Sequence, residues 1–341
     1  MNFSFSGAGF LGAYHLGVAQ CLVNKLGRET LRRSQFIGTS AGALTAAVLA
    51  TEADIDQCMV QTTRLAKYWA NHPVTRLLTG QVLTNVVSIV LNAPADMLTA
   101  TAGVAMPSPA QVAATTPIQD PDTDAPFIQE VERSLRAVLP LDALERMAFQ
   151  TPRSTLAATA ASTATPSRAS PSRVTVVVTR AVPVPLARRF SQFTSYDDLI
   201  AALLCSSFIP GYCGRVPPLF RGANKYIDGG LTDNWPQFRP DELIAPVPEL
   251  PGPTLPARTI KVSPFLGTFD ICPPPDDSVP YMLAPVLPWT NSDKVQVAPA
   301  NMRAIYDALL PRDPKLIPMY FQNGYDDATR ALRQLRLCEA G

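Results

Sequence analysis

The sequence predicts an α/β fold with a mainly parallel sheet, and the order of segments in its first fifty residues predicts it. Residues 2–5 form a short apolar run, and a glycine-rich turn separates them from residues 12–26, whose apolar side chains recur at helical spacing. The same order then repeats, because the apolar run 35–37 and a second small-residue turn precede the apolar segment 41–50. Strands that alternate with helices form parallel sheets covered by helices.

Later segments extend this pattern. Residues 173–179, RVTVVVT, have the β-branched composition of a buried strand. Residues 197–205 begin with two aspartates and continue as an apolar run, which favours a helix with a stabilised N-terminus. We also expect a strand at 259–262, helical packing within 128–147, and a helix at 326–337. That last helix carries three arginines at a spacing of three, which indicates a solvated basic face or a surface attracted to anionic lipid.

The composition excludes several classes of protein. Apolar residues make up 47% of the chain and charged residues 17%, and the net charge of +1 gives no reason to expect nucleic-acid binding, which usually needs a basic patch or a high pI. The six cysteines are scattered without a C-x-x-C pair, so we expect reduced intracellular thiols, no metal site and no cofactor. Glycines and polar residues interrupt the uncharged stretches, so we expect neither a signal peptide nor a transmembrane helix.

The first glycine-rich turn spells G-x-G-x-x-G at Gly7–Gly12. Such a turn presents backbone N–H groups to an anion, which is either a nucleotide pyrophosphate or another negative charge. Dinucleotide binding requires an acidic residue about 20 positions further on, at the end of a strand. Glu29 lies near that distance but does not end an apolar strand, so this pattern disfavours a dinucleotide.

The second turn, Gly38-Thr39-Ser40-Ala41-Gly42, is a G-x-S-x-G motif between a predicted strand and a predicted helix. A nucleophilic serine on such a tight turn needs small neighbours, although a purely structural turn has the same composition. A serine hydroxyl also needs a base. The chain has two histidines, His15 and His72, and neither lies in a pattern typical of a base. Asp228, in the stretch YIDGG at the end of a short predicted strand, is the carboxylate that we expect to serve instead, although a D-G-G turn can be structural.

Taken in order, SGAGFLG, GTSAG and YIDGG resemble the motifs of the patatin-like phospholipases, and more narrowly of the adipose triglyceride lipase and adiponutrin group. The stretches CSSFIPGYCGRVPP, KVSPFLGTFDICP, NMRAIYDALLP and FQNGYDDATRAL extend the resemblance to about residue 332. The resemblance implies a three-layer α/β/α sandwich with a mainly parallel central sheet. It also implies one domain over residues 1–341, with low-complexity insertions near 101–126 and 151–172, a Pro-rich loop near 240–256 and a helical C-terminal extension at 297–341.

The same resemblance implies a Ser–Asp dyad. Ser40 would attack an ester carbonyl, and Asp228 would take its proton and later activate water. The oxyanion hole would be formed by the backbone N–H groups of the first turn, at Gly7, Ala8 and Gly9. Gly38 and Gly42 would permit the nucleophile turn.

The implied activity is hydrolysis of carboxylic esters of glycerolipids, above all triacylglycerol. Alternatives within the family are a phospholipase A, a lipid transacylase, or a weakly active lipid-binding regulator. Expected partners are a neutral lipid or phospholipid substrate, a membrane or lipid-droplet surface reached from the cytoplasm, and a protein co-activator. The long C-terminal region that directs relatives to droplets is mostly missing, so surface binding would depend on residues 74–90 or on the basic face of 326–337. Residues 74–90 carry an apolar helical face that fits a core helix or a lipid-facing one.

Overall fold

One sheet organises the fold of the computed structural model, which describes residues 1–71, 127–148, 172–243, 258–277, 282–283, 294–311 and 313–338. Its strands are β1 (Asn2–Phe5), β2 (Gln35–Thr39), β3 (Val174–Arg180), β4 (Leu186–Phe190), β5 (Tyr226–Asp228) and β6 (Thr259–Val262). The neighbour order is β4-β3-β2-β1-β6, and β5 also pairs with β3. Strands β1, β2, β3 and β6 run parallel, so their carboxyl ends meet at one edge of the sheet. Strands β4 and β5 are antiparallel to β3.

Helices connect and flank these strands. In the described ranges they are α1 (Gly12–Arg32), α2 (Ala41–Thr51), α3 (Ile55–Asn71), α4 (Phe127–Val138), α5 (Ala143–Met147), α6 (Tyr196–Ser206), α7 (Pro299–Leu309) and α8 (Leu316–Gln334). A two-stranded ribbon pairs β7 (Met282–Leu283) with β8 (Val295–Gln296). Single 3-10 turns occur at Gly9–Leu11, Gly229–Leu231 and Pro240–Glu242.

The hydrophobic core lies on the sheet face that α1 and α2 cover. Strand alternation puts Phe3 and Phe36 on this face, where their rings stack with centroids 5.7 Å apart. Helix α8 packs along α1, and a Cβ atom at Gly17 would lie 1.9 Å from the Phe321 carbonyl oxygen. Burying each large apolar side chain contributes about 1.5–3 kcal/mol, so this face supplies much of the stability of the fold.

Residues 229–243 cover the opposite face of the sheet. The Ser4 hydroxyl donates a hydrogen bond to the Pro236 carbonyl oxygen, and the Thr39 hydroxyl donates to that of Asp233 at 2.8 Å. Arg189 of β4 forms an ion pair with the Asp233 carboxylate at 2.7 Å. The chain that follows β5 is therefore fixed against three strands of the sheet.

The structure confirms the α/β fold and most of the predicted elements, with several differences. The helix predicted at 12–26 is followed by a kink at Gly27, whose φ of 77° and ψ of 155° are not helical, and α1 then resumes to Arg32. The helical pattern of 128–147 is broken between Val138 and Ala143, around Pro140. The last helix begins at Leu316, ten residues earlier than predicted. Helix α3 and the antiparallel strand β4 were not predicted.

Some of the sequence predictions concern residues outside the described ranges. These are the helix at 74–90, the insertion near 101–126, nearly all of that near 151–172 and most of the loop near 240–256. None of the helices in the part of the chain that the structure describes is both long and apolar enough to cross a bilayer. The six cysteines are free thiols.

Candidate active site

Ser40 lies on a strained turn between β2 and α2. Its φ of 52° and ψ of −128° are unusual for a residue with a side chain, and such strain is concentrated at functional sites. The flanking glycines are required by close backbone contacts. A Cβ atom at Gly38 would lie 2.3 Å from the Gly42 carbonyl oxygen, and one at Gly42 would lie 2.4 Å from the carbonyl oxygens of Phe5 and Ser6. The turn at Ser40 thus has the backbone geometry of a nucleophile elbow.

The backbone of this turn is held by a side chain from α6. The Ser40 N–H donates to the Ser206 hydroxyl at 2.9 Å, and that hydroxyl donates in turn to the Val177 carbonyl oxygen at 2.7 Å. Ser206 is fully buried. Sequence reasoning did not single it out, although it lies in CSSFIPG, a stretch that carries the family resemblance.

Asp228 lies beside Ser40 at the carboxyl edge of the sheet. It is the last residue of β5 and pairs with Val178, one position beyond the point where β2 pairs with β3. The Gly230 N–H donates to the Asp228 Oδ1 at 2.7 Å, and the Ser40 hydroxyl lies near enough to the carboxylate to lower its pKa. The structure therefore brings together the two residues that the sequence predicted as a dyad, although they are 188 positions apart in the chain.

Burial sets the protonation of this carboxyl. Asp228 is 5% exposed, and desolvation raises its pKa to about 6, against the opposing effects of the Ser40 hydroxyl and the Gly230 N–H. The group is still mostly ionised at neutral pH, yet it is a stronger base than an exposed aspartate. A base with a pKa near the working pH is suited to proton transfer.

The histidines have other environments. His15 is fully buried in α1, its Nε2 lies 2.9 Å from the Ser6 carbonyl oxygen, and burial lowers its pKa to about 4. His72 lies outside the described residues. Among the described residues, Asp228 is therefore the ionisable side chain positioned to act as a base for Ser40.

The first glycine turn lies against the same site. A Cβ atom at Gly7 would lie 3.7 Å from the Ser40 Cβ, so the loop passes close to the serine side chain. The Gly7 N–H, predicted to face an oxyanion, donates to the Asn234 carbonyl oxygen at 3.1 Å. The N–H groups of Ala8 and Gly9 have no acceptor among the described residues. Gly9 has a φ of +51°, and a Cβ there would lie 2.2 Å from the Ala308 carbonyl oxygen.

Asn234 is a further residue of the site that the sequence did not indicate. A Cβ atom at Gly7 would lie 2.3 Å from the Asn234 Oδ1, and one at Gly230 would lie 2.7 Å from it. The Asn234 side chain therefore fills the space between the glycine loop and the turn after Asp228. Its signal in the sequence is its position in YIDGGLTDNWP.

A cavity of about 150 Å³ opens beside Ser40. It follows α2 from Ser40 past Leu44 to Val48, a path of about 12 Å at the rise of an α-helix. Side chains of α3 and α4 form the opposite wall, and no charged side chain is among the described residues that line it. An apolar chain fits this space, whereas an ionic ligand would lose its hydration there.

The surroundings of the glycine loop differ from those of a dinucleotide site. Glu29 lies inside α1, where it forms an exposed ion pair with Arg33 at 2.7 Å. It therefore lies at no strand end, where a ribose would bind.

Fold and site together define an α/β protein in which a strand-to-helix turn holds a serine against a buried carboxylate. A family model for patatin-like phospholipases matches residues 3–238, and the chain belongs to this family.

Curated relatives extend the comparison. Patatin-like phospholipase domain-containing protein 2 of Mus musculus is 28% identical over 333 residues, which cover 98% of this chain and 50% of the relative. The 1-acylglycerol-3-phosphate O-acyltransferase Pnpla3 of the same species is 36% identical over 148 residues, covering 43% of this chain and 30% of the relative. Among solved structures, VipD from Legionella pneumophila matches at a TM-score of 0.33 and 18% identity, over 70% of this chain and 47% of that one. The chain spans about half the length of the first of these relatives.

Proposed function

We propose that this protein hydrolyses carboxylic esters of glycerolipids, with triacylglycerol as the main substrate, through a Ser40–Asp228 dyad and an acyl-enzyme. One observation carries the proposal: a serine on a strained elbow lies beside a buried carboxylate and lines a cavity that has no charged side chain among its described residues. Membership of the patatin-like phospholipase family supports the same chemistry.

The first half of the reaction forms the acyl-enzyme. The Ser40 Oγ attacks the ester carbonyl carbon while its proton passes to the Asp228 carboxylate. The carbonyl oxygen becomes an oxyanion, for which the N–H groups of Ala8 and Gly9, without an acceptor among the described residues, are available donors. When the tetrahedral intermediate collapses, the C–O bond to the glycerol breaks, and the proton on Asp228 passes to the leaving alkoxide. Losing one donor of an oxyanion hole costs about 10²–10³ in rate.

The second half releases the fatty acid. Asp228, ionised again, takes a proton from a water molecule, whose oxygen attacks the acyl carbon. The Ser40 Oγ leaves as this second intermediate collapses, and it regains its proton from Asp228. Throughout, the acyl chain lies in the cavity along α2.

The cavity supports a neutral acyl chain as the bound part of the substrate, because charged side chains are missing from its described lining. Triacylglycerol places three such chains on one uncharged molecule. A phospholipid would have to keep its charged headgroup outside the cavity, so we expect a slower reaction. We further propose that the protein works from the cytoplasm at the surface of membranes or lipid droplets, where a protein co-activator would act.

Transfer of the acyl group to a lipid acceptor is a second candidate reaction. The acyltransferase relative favours it, since 36% identity over 148 residues is the highest among the relatives compared above. The acyl-enzyme would be the same, and a lipid hydroxyl would replace water. Adding 1-acylglycerol-3-phosphate to the assay distinguishes the reactions, because a hydrolase releases labelled fatty acid and a transferase forms a doubly acylated glycerol phosphate.

A labelled triolein and phosphatidylcholine assay tests the dyad. We expect Ser40→Ala and Asp228→Asn to lower kcat by at least about 10³-fold, since members of a catalytic unit each cost most of the rate. Asp228→Asn retains an acceptor for the Gly230 N–H, so loss of activity in a folded variant reports on the missing base. A serine-directed fluorophosphonate should label wild type and not Ser40→Ala. Labelling that persists in the variant would assign the nucleophile to another residue, and lipid binding without turnover in wild type would indicate a regulatory protein.

The pH dependence gives an independent test. Because the pKa of Asp228 is raised to about 6, the ionised base is lost as the pH falls through 6. We expect kcat/KM for a dissolved short-chain ester to rise with pH, with a midpoint near 6, and to level off above about 7.

A further inference from the structure

Two loops at the carboxyl edge of the sheet expose apolar side chains. The turn between β3 and β4, the first residue of β4 and the loop that precedes β5 contain five of the exposed large apolar residues: Val182, Val184, Leu186, Val216 and Leu219. Their exposed fractions lie between 42% and 68%. Isolated exposed apolar residues need no explanation, but a group on two neighbouring loops marks an interaction surface.

Hydrogen bonds and ring contacts join the two loops. The Ala181 N–H donates to the Lys225 carbonyl oxygen at 2.8 Å. The Phe190 ring of β4 meets the Phe220 ring with centroids 4.9 Å apart, and the Arg221 guanidinium lies over both rings. Strand alternation puts Leu186 and Arg188 on the same face as Phe190. The exposed Leu186 therefore lies on the same face of β4 as the ring contact that joins β4 to the second loop.

All the charged side chains of these two loops and the strand residues beside them are basic. Residues 180–193 and 207–227 contain six basic residues and no Asp or Glu. Arg189 and Arg221 are paired with carboxylates from elsewhere in the fold. Arg188 and Arg215 are exposed, and neither has a carboxylate partner among the described residues. Two free cations therefore border the apolar group, and this combination matches an anionic phospholipid surface.

The loops lie at the same edge of the sheet as the dyad. Arg180 follows Val178, the partner of Asp228, by two residues, so the β3–β4 turn begins about 7–10 Å beyond Asp228 along the strand direction. The parallel strands that carry the glycine loop and Ser40 end at this edge too.

We propose that the docking surface formed by Val182, Val184, Leu186, Val216 and Leu219 with Arg188 and Arg215 binds an anionic phospholipid layer and holds the catalytic edge against it. The proposal rests on the lipid hydrolase function above, because an ester that resides in a lipid phase must reach Ser40 from that phase.

Vesicle sedimentation of the full chain carrying Ser40→Ala measures docking without turnover. We use vesicles of phosphatidylcholine alone and of equal parts phosphatidylcholine and phosphatidylserine. Arg188→Gln with Arg215→Gln should weaken binding to the mixed vesicles by about tenfold or more, since each cation near such a surface contributes about 1 kcal/mol. Val184→Ser with Val216→Ser and Leu219→Ser should weaken binding to both kinds of vesicle.

Matched controls come from two other surfaces. Leu141→Ser changes a side chain that is 85% exposed in the turn before α5, the helix that contacts the amino end of β3. Arg333→Gln with Arg336→Gln removes two charges from the C-terminal basic face. We expect wild-type binding from both controls. Equal losses in a control and a docking variant, unchanged binding in the docking variants, or no binding by the starting protein would each overturn the proposal.

Activity separates docking from the dyad. In an otherwise wild-type chain, the docking variants should keep their rate on a dissolved short-chain ester and lose rate on emulsified triolein in parallel with vesicle binding. If Ser40 and Asp228 variants keep their activity while the docking variants still lose vesicle binding, the dyad assignment is wrong and the docking proposal is still supported. If both substrates slow equally, the loops serve the fold or the site, and the docking proposal is wrong.

Discussion

At the scale of single residues, the burial of Asp228 makes it a better base but lowers the stability of the fold. Its pKa is raised from 3.8 to about 6, so the folded state retains a proton over a range where the unfolded chain has released it. Folding is therefore penalised as the pH rises from about 4 to 6, and the penalty is constant above that range. A shift of this size corresponds to about 3 kcal/mol.

Asp228→Asn should remove this penalty while leaving the acceptor for the Gly230 N–H. We expect the free energy of unfolding at pH 7 to rise by up to about 3 kcal/mol, and the gain to shrink towards zero as the pH falls to 4. Urea denaturation at several pH values measures it. A variant that is less stable than wild type at pH 7 would contradict the desolvation argument.

Ser206 is the residue on which the geometry of the elbow depends. Ser206→Ala leaves the Ser40 N–H and the Val177 carbonyl oxygen without their buried partner, at a cost of about 1–3 kcal/mol for each group. Because the freed turn can relax from its strained φ, we expect kcat to fall at least tenfold with little change in KM.

Ser34→Ala is the matched control for this change. Ser34 is another fully buried serine, and its hydroxyl donates to the Thr30 carbonyl oxygen at 2.9 Å, just before β2 and away from the dyad. It should lose stability and keep kcat. A loss of kcat in Ser34→Ala as large as that in Ser206→Ala would reduce Ser206 to a structural role.

At the scale of elements, the local pattern predicted those segments whose own residues decide their conformation. Strand β6 matched its prediction from end to end, and β2 and α2 were found around the elbow, because apolar runs and glycine turns are local signals. Strand β5 was predicted from the position of Asp228, but its antiparallel pairing is decided by β3, whose paired residues are 46 to 50 positions away. Strand β4 carries two arginines, and one of them, Arg189, forms an ion pair with Asp233 of the segment that covers the sheet. Its sequence therefore lacks the apolar pattern that predicts a buried strand.

Arg173 illustrates a contact between elements that the sequence does not signal. It precedes β3, is 3% exposed, and its guanidinium donates to the carbonyl oxygens of Leu31, Ala50 and Arg146 at 2.6–2.9 Å. These carbonyls lie near the C-terminal ends of α1, α2 and α5, where a cation is favoured.

Arg173→Lys should destabilise the fold by about 3 kcal/mol, because an ammonium group cannot match three acceptors around a planar fork. Thermal or urea unfolding measures the loss, and the rate per folded molecule should not change, since Arg173 is at the edge of the sheet opposite the dyad. Arg33→Lys is the control, because its ion pair with Glu29 is half exposed and should contribute under about 1 kcal/mol. Equal stability of the two variants would contradict this function for Arg173.

At the scale of the whole molecule, the site is a product of distant segments. The sequence predicted Ser40 and Asp228 from separate motifs. It did not predict Ser206 and Asn234, because their contacts with the site arise only from the packing of α6 and the 229–243 segment against the elbow. The cavity likewise draws residues from five described α-helices, the Gly9–Leu11 turn and the 207–213 loop. No local window of sequence records such a cavity, because each contributing helix has the apolar face of any core helix.

The direction of this cavity yields a prediction for the acyl chain. Leu44 lies one turn of α2 from Ser40 and Val48 lies two turns away, and both line the cavity. If the acyl chain extends from Ser40 along α2, Val48→Phe should block only long chains, whereas Leu44→Phe should block short and long chains alike. We expect Val48→Phe to lower kcat/KM for a long-chain ester by about 10–100-fold, a range typical of small steric changes in apolar pockets, and to spare a butyryl ester. Gln129→Phe, on the exposed side of α4, should leave both rates unchanged and so controls for the added ring. Equal effects of the two α2 variants on both esters would mean that the chain leaves Ser40 by another path.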